Sequence, residues 1–275
     1  MKCAHVSVAG HFGELLQGRL GVDGPVALIS LPCPELQLKT SFTPDNTFNV
    51  AVTDPSGAEI PTLKDHLAML LRALDLPVQG QFSFASDMPA GGGAGLSTTL
   101  LVAVCRMAGL TDPVEIARRC HAIEGATDPL MFNHAERILW ASREVQQLED
   151  LPALPAFQVI GGFGPHRIRT NPNCANFPDI SDLLPQWRDA AQAQDLPHLA
   201  QLSTCSAQRA LTAQGVWAND PIQRLARETG ALGIVTAHTG AARGLIFAKG
   251  KIPAQTGSAL QKAGFSQITC FSGGS

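Results

Sequence analysis

A run of glycines directly before a hydroxyl-rich helix start is the feature that most constrains this chain. From residue 87 to residue 99 the sequence reads DMPAGGGAGLSTT. Glycines let successive backbone N–H groups turn toward one anion, and the start of the following helix adds unpaired donors and a positive dipole end. We therefore predict a phosphate-binding loop. Its predicted contact residues are Pro89, Gly91, Gly92, Gly93, Ala94, Gly95, Leu96, Ser97 and Thr98.

The neighbours of this loop distinguish a phosphate site from a flexible linker. Before the loop, Phe82 and Phe84 alternate with other residues as in a strand, and after it apolar residues recur at near-helical spacing over about 97–109. One face of such a helix can be buried and can hold the loop in place. Glycine-rich linkers normally have polar neighbours, which favours the phosphate site, with a surface linker as the alternative.

Composition indicates a globular protein without an electrostatic signature for nucleic acid. The chain has 275 residues, of which 45% are hydrophobic, so it can bury a core as one large or two modest domains. The net charge of −3 gives no basic patch for nucleic acid. No apolar run reaches the roughly 20 residues that span a bilayer, and no signal-peptide core is present, so we expect a cytoplasmic protein without a membrane partner. Seven dispersed cysteines without C-x-x-C spacing are expected to be reduced thiols.

The alternation of strand-like and helix-like segments predicts an α+β fold. Asp112, Pro113 and Glu115 form a helix start signal, with a helix expected from Pro113 to about Ile123. The proline-bearing segment 151–155 is the predicted boundary between domains at 1–152 and 153–275. Strands are predicted over 3–9, 25–31, 35–42, 80–86, 157–160, 232–237, 244–248 and 266–271. Other helices are predicted over 97–109, 134–149, 181–194, 197–213, 221–230 and 255–263.

Neither of the two common phosphate-loop patterns fits the glycine run. No Gly-x-x-x-x-Gly-Lys-Ser/Thr string occurs, and a Gly-x-Gly-x-x-Gly pattern fails because Leu96 stands at its last position. The loop instead resembles the second motif of the GHMP kinases, approximately Pro-x-Gly-x-Gly-Leu-Gly-Ser-Ser-Ala. Pro89, three glycines and Ser97 fall at the matching places, and Leu96 replaces the first serine. The resemblance gives Ser97 the place of the serine that approaches Mg²⁺.

Two further segments narrow this resemblance. Residues 10–18, GHFGELLQG, are similar to a signature of the propanediol-utilisation branch, the L-threonine kinases of cobalamin synthesis. Residues 237–246, AHTGAARGLI, resemble that branch's version of the third GHMP motif. The three motifs follow one another in the family's order along most of the chain.

The resemblance implies a two-domain GHMP kinase fold, with an N-terminal ribosomal-S5-like β/α domain and a C-terminal ferredoxin-like α+β domain. It implies ATP and Mg²⁺ as cofactors and phosphorylation of L-threonine, or a similar hydroxy-amino acid, to O-phospho-L-threonine. Two alternatives stay open: a GHMP kinase for another hydroxyl, such as homoserine or a sugar, and a nucleotide-binding regulator without turnover. The sequence does not indicate an oligomeric state.

The same resemblance suggests the catalytic residues. It makes Glu124, at the end of the helix after the loop, a metal ligand together with Ser97, and it makes Asp128 the base or the group that orients the acceptor. The chain has Gly125 where the branch has proline, and one additional residue before Asp128. The alternative to these functional roles is that Glu124 is an ordinary exposed carboxylate and that Asp128 is only a turn residue before a proline.

The acceptor is expected to contact residues of the first and third motifs. Glu14 and Gln17 interrupt an apolar, glycine-rich segment, so they either hydrogen-bond locally in a loop or face the acceptor. Glu14 could pair with an ammonium group, and Arg19 or Arg243 could pair with a carboxylate. Without H-x-x-x-H spacing we expect no zinc site, and we interpret His11 and His238 as structural hydrogen-bonding residues within the motifs. The predicted acceptor residues are Glu14, Gln17, His238, Thr239 and Gly240.

Overall fold

The computed structural model describes residues 2–57, 60–164, 177–238 and 240–274. Within these ranges ten strands form one connected sheet, and short 3-10 turns occur at Ala135–Arg137 and Trp217–Asn219. The strands are β1 (Ala4–Arg19), β2 (Val26–Thr43), β3 (Phe48–Thr53), β4 (Gly80–Ser86), β5 (Ile138–Ala141), β6 (Gln146–Asp150), β7 (Phe157–Phe163), β8 (Gly233–Thr236), β9 (Ala242–Ala248) and β10 (Ser266–Gly273). The helices are α1 (Leu63–Ala73), α2 (Leu96–Met107), α3 (Pro113–Glu124), α4 (Leu183–Gln192), α5 (Leu196–Ala213), α6 (Ile222–Thr229) and α7 (Thr256–Lys262).

The sheet places β1 at its centre. Its main path runs β10-β7-β9-β8-β1-β2-β4-β3, with β5 and β6 attached to β2. Strand β1 pairs with β2 along its length, but it meets β8 at a single register pair, Glu14 with Thr236. The N-terminal and C-terminal strands therefore meet at the position of Glu14. The mixture of strands and helices confirms the α+β prediction.

The C-terminal strands agree with the ferredoxin-like expectation. The succession β7, helices, β8, β9, α7 and β10 is a β-α-β-β-α-β unit, whose four strands are adjacent in the order β10-β7-β9-β8. The domain boundary at 152/153 remains a prediction. It falls between β6 and β7, where the chain forms neither helix nor strand.

Helix α2 is buried almost all round rather than on one face. From Leu96 to Cys105 every residue is buried except Ser97. A helix that is apolar on all sides belongs in the interior of the molecule. The glycine loop before α2 is thereby fixed to the core, and the exposed hydroxyl of Ser97 stands out from an apolar helix.

The helix predicted over 134–149 is wrong. The chain forms a short 3-10 turn and then the β5–β6 hairpin, in which all four residues of β5 are buried. Strand β5 also pairs with β2, through Ala141 with Ala27 and Trp140 with Leu28. Periodicity cannot assign so short an apolar run, and pairing with a distant strand decides its structure.

Other strands also begin or end at residues that differ from the predicted ones, because pairing with distant strands decides their extent. The strand predicted over 3–9 continues as β1 through Arg19, with register shifts at Ala9/Gly10, His11/Glu14 and Glu14/Leu16. Such irregularities bend a strand and re-aim its side chains, and they often lie beside active sites. The strands predicted over 25–31 and 35–42 are one strand, β2, and α1 and β3 were not predicted.

The expected start of α3 is confirmed. Asp112 caps α3 by accepting a hydrogen bond from the Glu115 N–H at 2.8 Å, with Pro113 at the first helical position. The six cysteines of the described ranges are free thiols, and Cys174 lies outside them. No helix in the described ranges is both long and apolar enough to cross a bilayer.

Candidate active site

The glycine loop connects β4 to α2 and adopts the backbone conformation that only glycine takes readily. Gly91, Gly93 and Gly95 have φ angles of +71°, +76° and +77°. Left-handed backbone disfavours residues with a Cβ atom. The first turn of α2 contains no acidic residue, so no carboxylate of its own offsets the positive end of the helix. The loop and the helix start are suited to an anion.

The backbone of this loop is held by both of the other motifs. The Gly92 carbonyl accepts hydrogen bonds from the N–H groups of Ala241 at 2.9 Å and Ala242 at 3.0 Å. The Ala94 carbonyl accepts one from the His11 N–H at 3.1 Å. Segments near residues 11, 92 and 241 therefore meet at one place, although they are far apart in sequence.

The contact between the loop and the third motif leaves no room for a side chain at Gly240. A Cβ atom there would lie 2.4 Å from both the carbonyl carbon of Gly92 and the nitrogen of Gly93. Gly240 also has a φ of +96°. Its role in the structure is to let two backbones approach closely. The neighbouring Thr239, predicted to contact the acceptor, lies outside the described residues.

The loop positions that depart from the family pattern point into the core. Ala94 is 2% exposed and Leu96 is 6% exposed. Pro89 closes a turn in which its carbonyl accepts the Gly92 N–H at 3.0 Å. The side chain of Leu96 packs in the core, so this residue could offer a phosphate only its backbone N–H.

The structure brings Ser97, Thr98 and Glu124 together. Glu124 is the last residue of α3, and its Oε1 accepts a hydrogen bond from the Ser97 hydroxyl. The Thr98 hydroxyl donates to Oε2 at 3.2 Å. Burial raises the pKa of Glu124 to about 7, with a further rise from Asp128, although both hydroxyl contacts oppose it. A carboxylate beside a hydroxyl is an oxygen donor set that fits Mg²⁺.

Asp128 lies beside this group rather than apart from it. Its Oδ2 is 3.4 Å from His11 Nε2 and 3.5 Å from the Thr98 hydroxyl oxygen. Burial would raise the pKa of Asp128, but the charge and hydrogen bond of His11 outweigh burial and lower it. The Asp128 side chain is 28% exposed. It therefore presents an ionised carboxylate to the site.

His11 is the functional candidate that the sequence analysis missed. Its Nδ1 lies 3.3 Å from Glu14 Oε1 and 3.4 Å from the Gly13 carbonyl oxygen, while Nε2 faces Asp128. Burial lowers the pKa of His11, but the carboxylates of Glu14 and Asp128 outweigh it and raise that pKa to about 9. The imidazole is charged at neutral pH. Its i,i+3 spacing from Glu14 was the available signal.

Glu14 lies behind His11 in the interior. It is 1% exposed, and its Oε2 has no hydrogen-bond partner among the described residues. Burial raises the pKa of Glu14 to about 7, which His11 opposes. Donor atoms of His11, Glu14 and Asp128 lie within 4.8 Å of one another, a spacing that could hold a metal. One carboxylate on each ring nitrogen favours an ion-paired triad instead.

Gln17, in β1, is hydrogen-bonded to His238, which lies two residues after the neighbouring strand β8. Gln17 Nε2 donates to the Thr236 carbonyl at 2.9 Å, which directs Oε1 toward His238 Nδ1, also at 2.9 Å. Nδ1 therefore carries the proton. Burial lowers the pKa of His238 to about 4, Asp128 opposes this, and Arg143 lowers it further. The ring is neutral at pH 7, with Nε2 as an acceptor. The local loop alternative for Gln17 is wrong.

The two arginines suggested for an acceptor carboxylate have other partners. Arg19 donates to the Gly24 carbonyl at 2.7 Å within a turn. Arg243 is 3% exposed and its Nε lies 2.9 Å from Asp220 Oδ2. This pair supports the third-motif loop, because Arg243 also donates to the Ala242 carbonyl. Proximity in sequence to a motif did not predict which guanidinium faces the site.

Comparison with known proteins identifies the fold. No protein-family profile and no curated protein matches the sequence. Solved structures match over nearly the whole chain. Leishmania major mevalonate kinase in complex with R-mevalonate has a TM-score of 0.64 and 14% identity, covering 99% of this chain and 97% of that one. Homoserine kinase from Cytophaga hutchinsonii has a TM-score of 0.63 and 14% identity, covering 98% and 94%.

A third matching structure is a decarboxylase rather than a kinase. The mevalonate diphosphate decarboxylase from Enterococcus faecalis, solved in a study of its ATP binding, has a TM-score of 0.60 and 16% identity, covering 99% of this chain and 98% of that one. Another matching structure is a complex with AMPPCP and magnesium. The identities are low, and the likeness is one of fold. The chain has the fold of the GHMP kinases.

Proposed function

We propose that this protein is an ATP- and Mg²⁺-dependent kinase that transfers the γ-phosphoryl group to the hydroxyl of L-threonine. The product would be O-phospho-L-threonine, used in the nucleotide-loop arm of cobalamin synthesis. The observation that carries the proposal is the convergence of the glycine loop, the Ser97–Glu124 contact and the Asp128–His11 pair in one site. A regulator that only binds nucleotide would not need an ionised carboxylate beside its phosphate loop.

The chain's own groups account for phosphate binding. Backbone N–H groups of residues 91–95 and the start of α2 would contact the phosphate oxygens. Ser97 and Glu124 would hold the metal ion, with Thr98 orienting the carboxylate. When bound, Mg²⁺ offsets the negative charge of the phosphates. Glu124 must be ionised to act as a ligand, and a nearby cation favours that form.

Asp128 is the proposed base or orienting group for the acceptor hydroxyl. It is ionised and partly exposed, and His11 and Thr98 hold its carboxylate. Phosphoryl transfer passes through a loose transition state, so alignment of the hydroxyl contributes even where early deprotonation does not. His11 keeps Asp128 charged and fixes its position. Glu14 is buried behind His11, and we propose that it affects the acceptor through His11.

The neutral ring of His238 is suited to a hydrogen-bond donor on the acceptor. With Nδ1 bound to Gln17, Nε2 is left as a hydrogen-bond acceptor, which suits an ammonium or hydroxyl group. Gln17 fixes the tautomer, and Gly240 keeps this segment against the loop. These residues are the proposed acceptor side of the site. Homoserine or a sugar remains the alternative acceptor.

A product assay separates the three hypotheses. The protein is incubated with Mg·ATP and either L-threonine, L-homoserine or a sugar, and products are identified by ³¹P NMR and mass spectrometry, with an acceptor-free reaction as the control. We expect O-phospho-L-threonine and ADP in equal amounts. Phosphorylation of another hydroxyl would select the alternative acceptor. A thermal shift with Mg·ATP but no product would indicate a regulator, and neither shift nor product would contradict nucleotide binding itself.

A further inference from the structure

An arginine that belongs to none of the three motifs is linked to His238, one of the proposed acceptor residues, through an aromatic ring. Arg143 is in the turn 142–145 between β5 and β6. Its guanidinium carbon is 4.8 Å from the centre of the Phe177 ring. The Phe177 ring in turn stacks on His238, with centroids 4.7 Å apart and planes at 8°. A chain of contacts thus leads from Arg143 to the residue whose tautomer Gln17 fixes.

The turn that carries Arg143 is fixed to the segment that carries Asp128. The Thr127 N–H donates to the Ser142 carbonyl at 3.0 Å, and the Trp140 Nε1–H donates to the Thr127 carbonyl at 2.7 Å. The residues immediately before Arg143 and Asp128 are therefore joined directly. Arg143 and Asp128 therefore extend from backbone segments that are hydrogen-bonded to each other. This contact sets the position of the Arg143 guanidinium relative to the Asp128 carboxylate.

The turn also contains an unusual backbone conformation. Val145 has a φ of +53°. This left-handed conformation is rare for a β-branched residue and is found where the surrounding structure enforces it.

The charges around the acceptor residues need such a cation. At pH 7 Asp128 is ionised and Glu14, with a pKa of about 7, is partly ionised, so their combined negative charge is somewhat larger than the positive charge of His11. An acceptor with its own carboxylate would be repelled without a further positive group. The opposite effects of Arg143 and Asp128 on the pKa of His238 show that both charges act on the same ring.

We infer that Arg143, supported by Phe177, binds a carboxylate of the acceptor and thereby selects hydroxy acids over neutral alcohols and sugars. This inference rests on the proposed function, because it concerns the acceptor of that reaction. A guanidinium stacks through its flat face and has five N–H donors, two of which bind a carboxylate, so one arginine can stack on a ring, bind a carboxylate and keep a further contact. Arg143 is a specificity-determining residue and takes no part in phosphoryl transfer.

Binding measurements test the inference without turnover. Dissociation constants are measured by calorimetry, with Mg·AMPPCP present, for three pairs of probes: L-threonine and L-threoninol, L-homoserine and L-homoserinol, and D-glycerate and glycerol. In the parent protein the carboxylate member of at least one pair should bind about tenfold or more tightly than its neutral partner, the usual scale for a charge-assisted contact. Arg143→Gln should abolish that preference.

Matched variants separate this effect from a loss of fold or of net charge. Arg224→Gln removes the same charge from the exposed face of α6, where Arg224 pairs with Glu228, and should keep the preference. Arg143→Lys keeps charge and stem but loses the planar fork, so part of the preference should remain. Phe177→Leu removes the stacking surface and should weaken the preference without abolishing it. Circular dichroism and melting temperature check each fold.

The outcomes distinguish this inference from the kinase proposal. It is overturned if the parent binds none of the carboxylates, binds both members of every pair equally, or keeps its preference in Arg143→Gln. If Arg143→Gln does not fold, the Arg143→Lys comparison decides: an undiminished preference overturns the inference. Turnover of the same compounds is assayed separately with ATP. An Arg143-dependent carboxylate preference without any product would contradict the kinase proposal alone, whereas equal phosphorylation of neutral alcohols would contradict the inference alone.

Discussion

Two regions of the candidate site are built in different ways. The phosphate side, residues 89–98 with Glu124, is formed mainly by backbone groups and by one helix start. The acceptor side, formed by His11, Glu14, Gln17, Asp128 and His238, consists of side chains, of which the first three are buried. The proposed binding at the phosphate side depends on backbone conformation, and the proposed binding at the acceptor side depends on the charges and hydrogen bonds of side chains.

This difference explains which departures from a family pattern are tolerable. Ala94 and Leu96 differ from the usual residues of the phosphate loop, yet their side chains are buried and the backbone around them keeps its left-handed turns. On the acceptor side a single substitution changes a charge or a tautomer. We therefore expect substitutions to affect the phosphate side through backbone strain and the acceptor side through electrostatics.

The largest effect is expected at Gly93. Gly93→Val places a branched side chain in a loop whose backbone must approach phosphate, so Mg·ATP binding should be abolished. The measurement is the Mg·ATP dissociation constant. Gly250→Val is the matched control, because Gly250 has a similar φ of +73° and nothing within 4 Å of a Cβ atom. Unchanged nucleotide affinity in a folded Gly93→Val protein would contradict the loop assignment.

The next effect is expected on the acceptor side. Asp128→Asn should lower kcat by about 10²–10⁴ with ATP binding nearly unchanged if this residue takes the acceptor's proton. A smaller loss, partly in the acceptor KM, would indicate that it only orients the hydroxyl. Asp150→Asn, at the exposed end of β6, is the control. Normal kinetics for both substrates would remove Asp128 from the mechanism.

Removal of the metal ligand on the phosphate side comes third. Glu124→Gln keeps the shape but removes the charge, so it should raise the Mg²⁺ requirement and lower kcat by about 10²-fold. A magnesium titration of initial rates measures both effects. Glu228→Gln, on the exposed face of α6, controls for the change in net charge. A loss within about threefold, less than 1 kcal/mol, would mean that another carboxylate holds the metal.

A smaller effect concerns stability rather than rate. His11→Gln leaves Glu14 buried without its ionic partner, so the free energy of unfolding at pH 7 should fall by about 3 kcal/mol, the usual scale for breaking a buried pair. Denaturant titration measures it. The double variant with Glu14→Gln removes both charges and should recover part of the loss. Additive losses would show that the two residues do not interact.

Counted per pH unit, the smallest effect is the pH dependence of that stability. The pKa of His11 rises from 6.5 to about 9 on folding, so its contribution is fully present below pH 6.5 and is lost as the pH rises through 9. The free energy of unfolding should fall over this window by at most about 1.4 kcal/mol per pH unit. The slope should flatten in the His11→Gln protein. An equal slope in both proteins would assign it to other groups.

The sequence predicted those parts of the molecule that depend on local signals. Glycines before an apolar segment predicted the loop and α2, and Asp112 with Pro113 predicted the start of α3. The grouping of Ser97 with Glu124 came from a family resemblance, and the structure places these side chains in contact. Their roles as ligands remain proposals.

The remaining features depend on contacts between distant segments. The β5 segment reads as part of a helix until its pairing with β2 is known. Gln17 and His238 are 221 residues apart in sequence, so no local pattern could show that one fixes the tautomer of the other. Arg143 has no motif of its own. Its position follows from a hairpin that the sequence analysis assigned to a helix.

The single pairing of Glu14 with Thr236 also has a consequence for the order of folding. Closing a loop between such distant residues is entropically unfavourable, and contacts of this kind tend to form late. We expect the N-terminal strands and α2 to assemble before β8 reaches β1. A newly made chain would then have α2 before Gln17 could meet His238 and before Ala241 and Ala242 could hold the glycine loop. Both sides of the candidate site therefore depend on the last long-range contacts of the sheet.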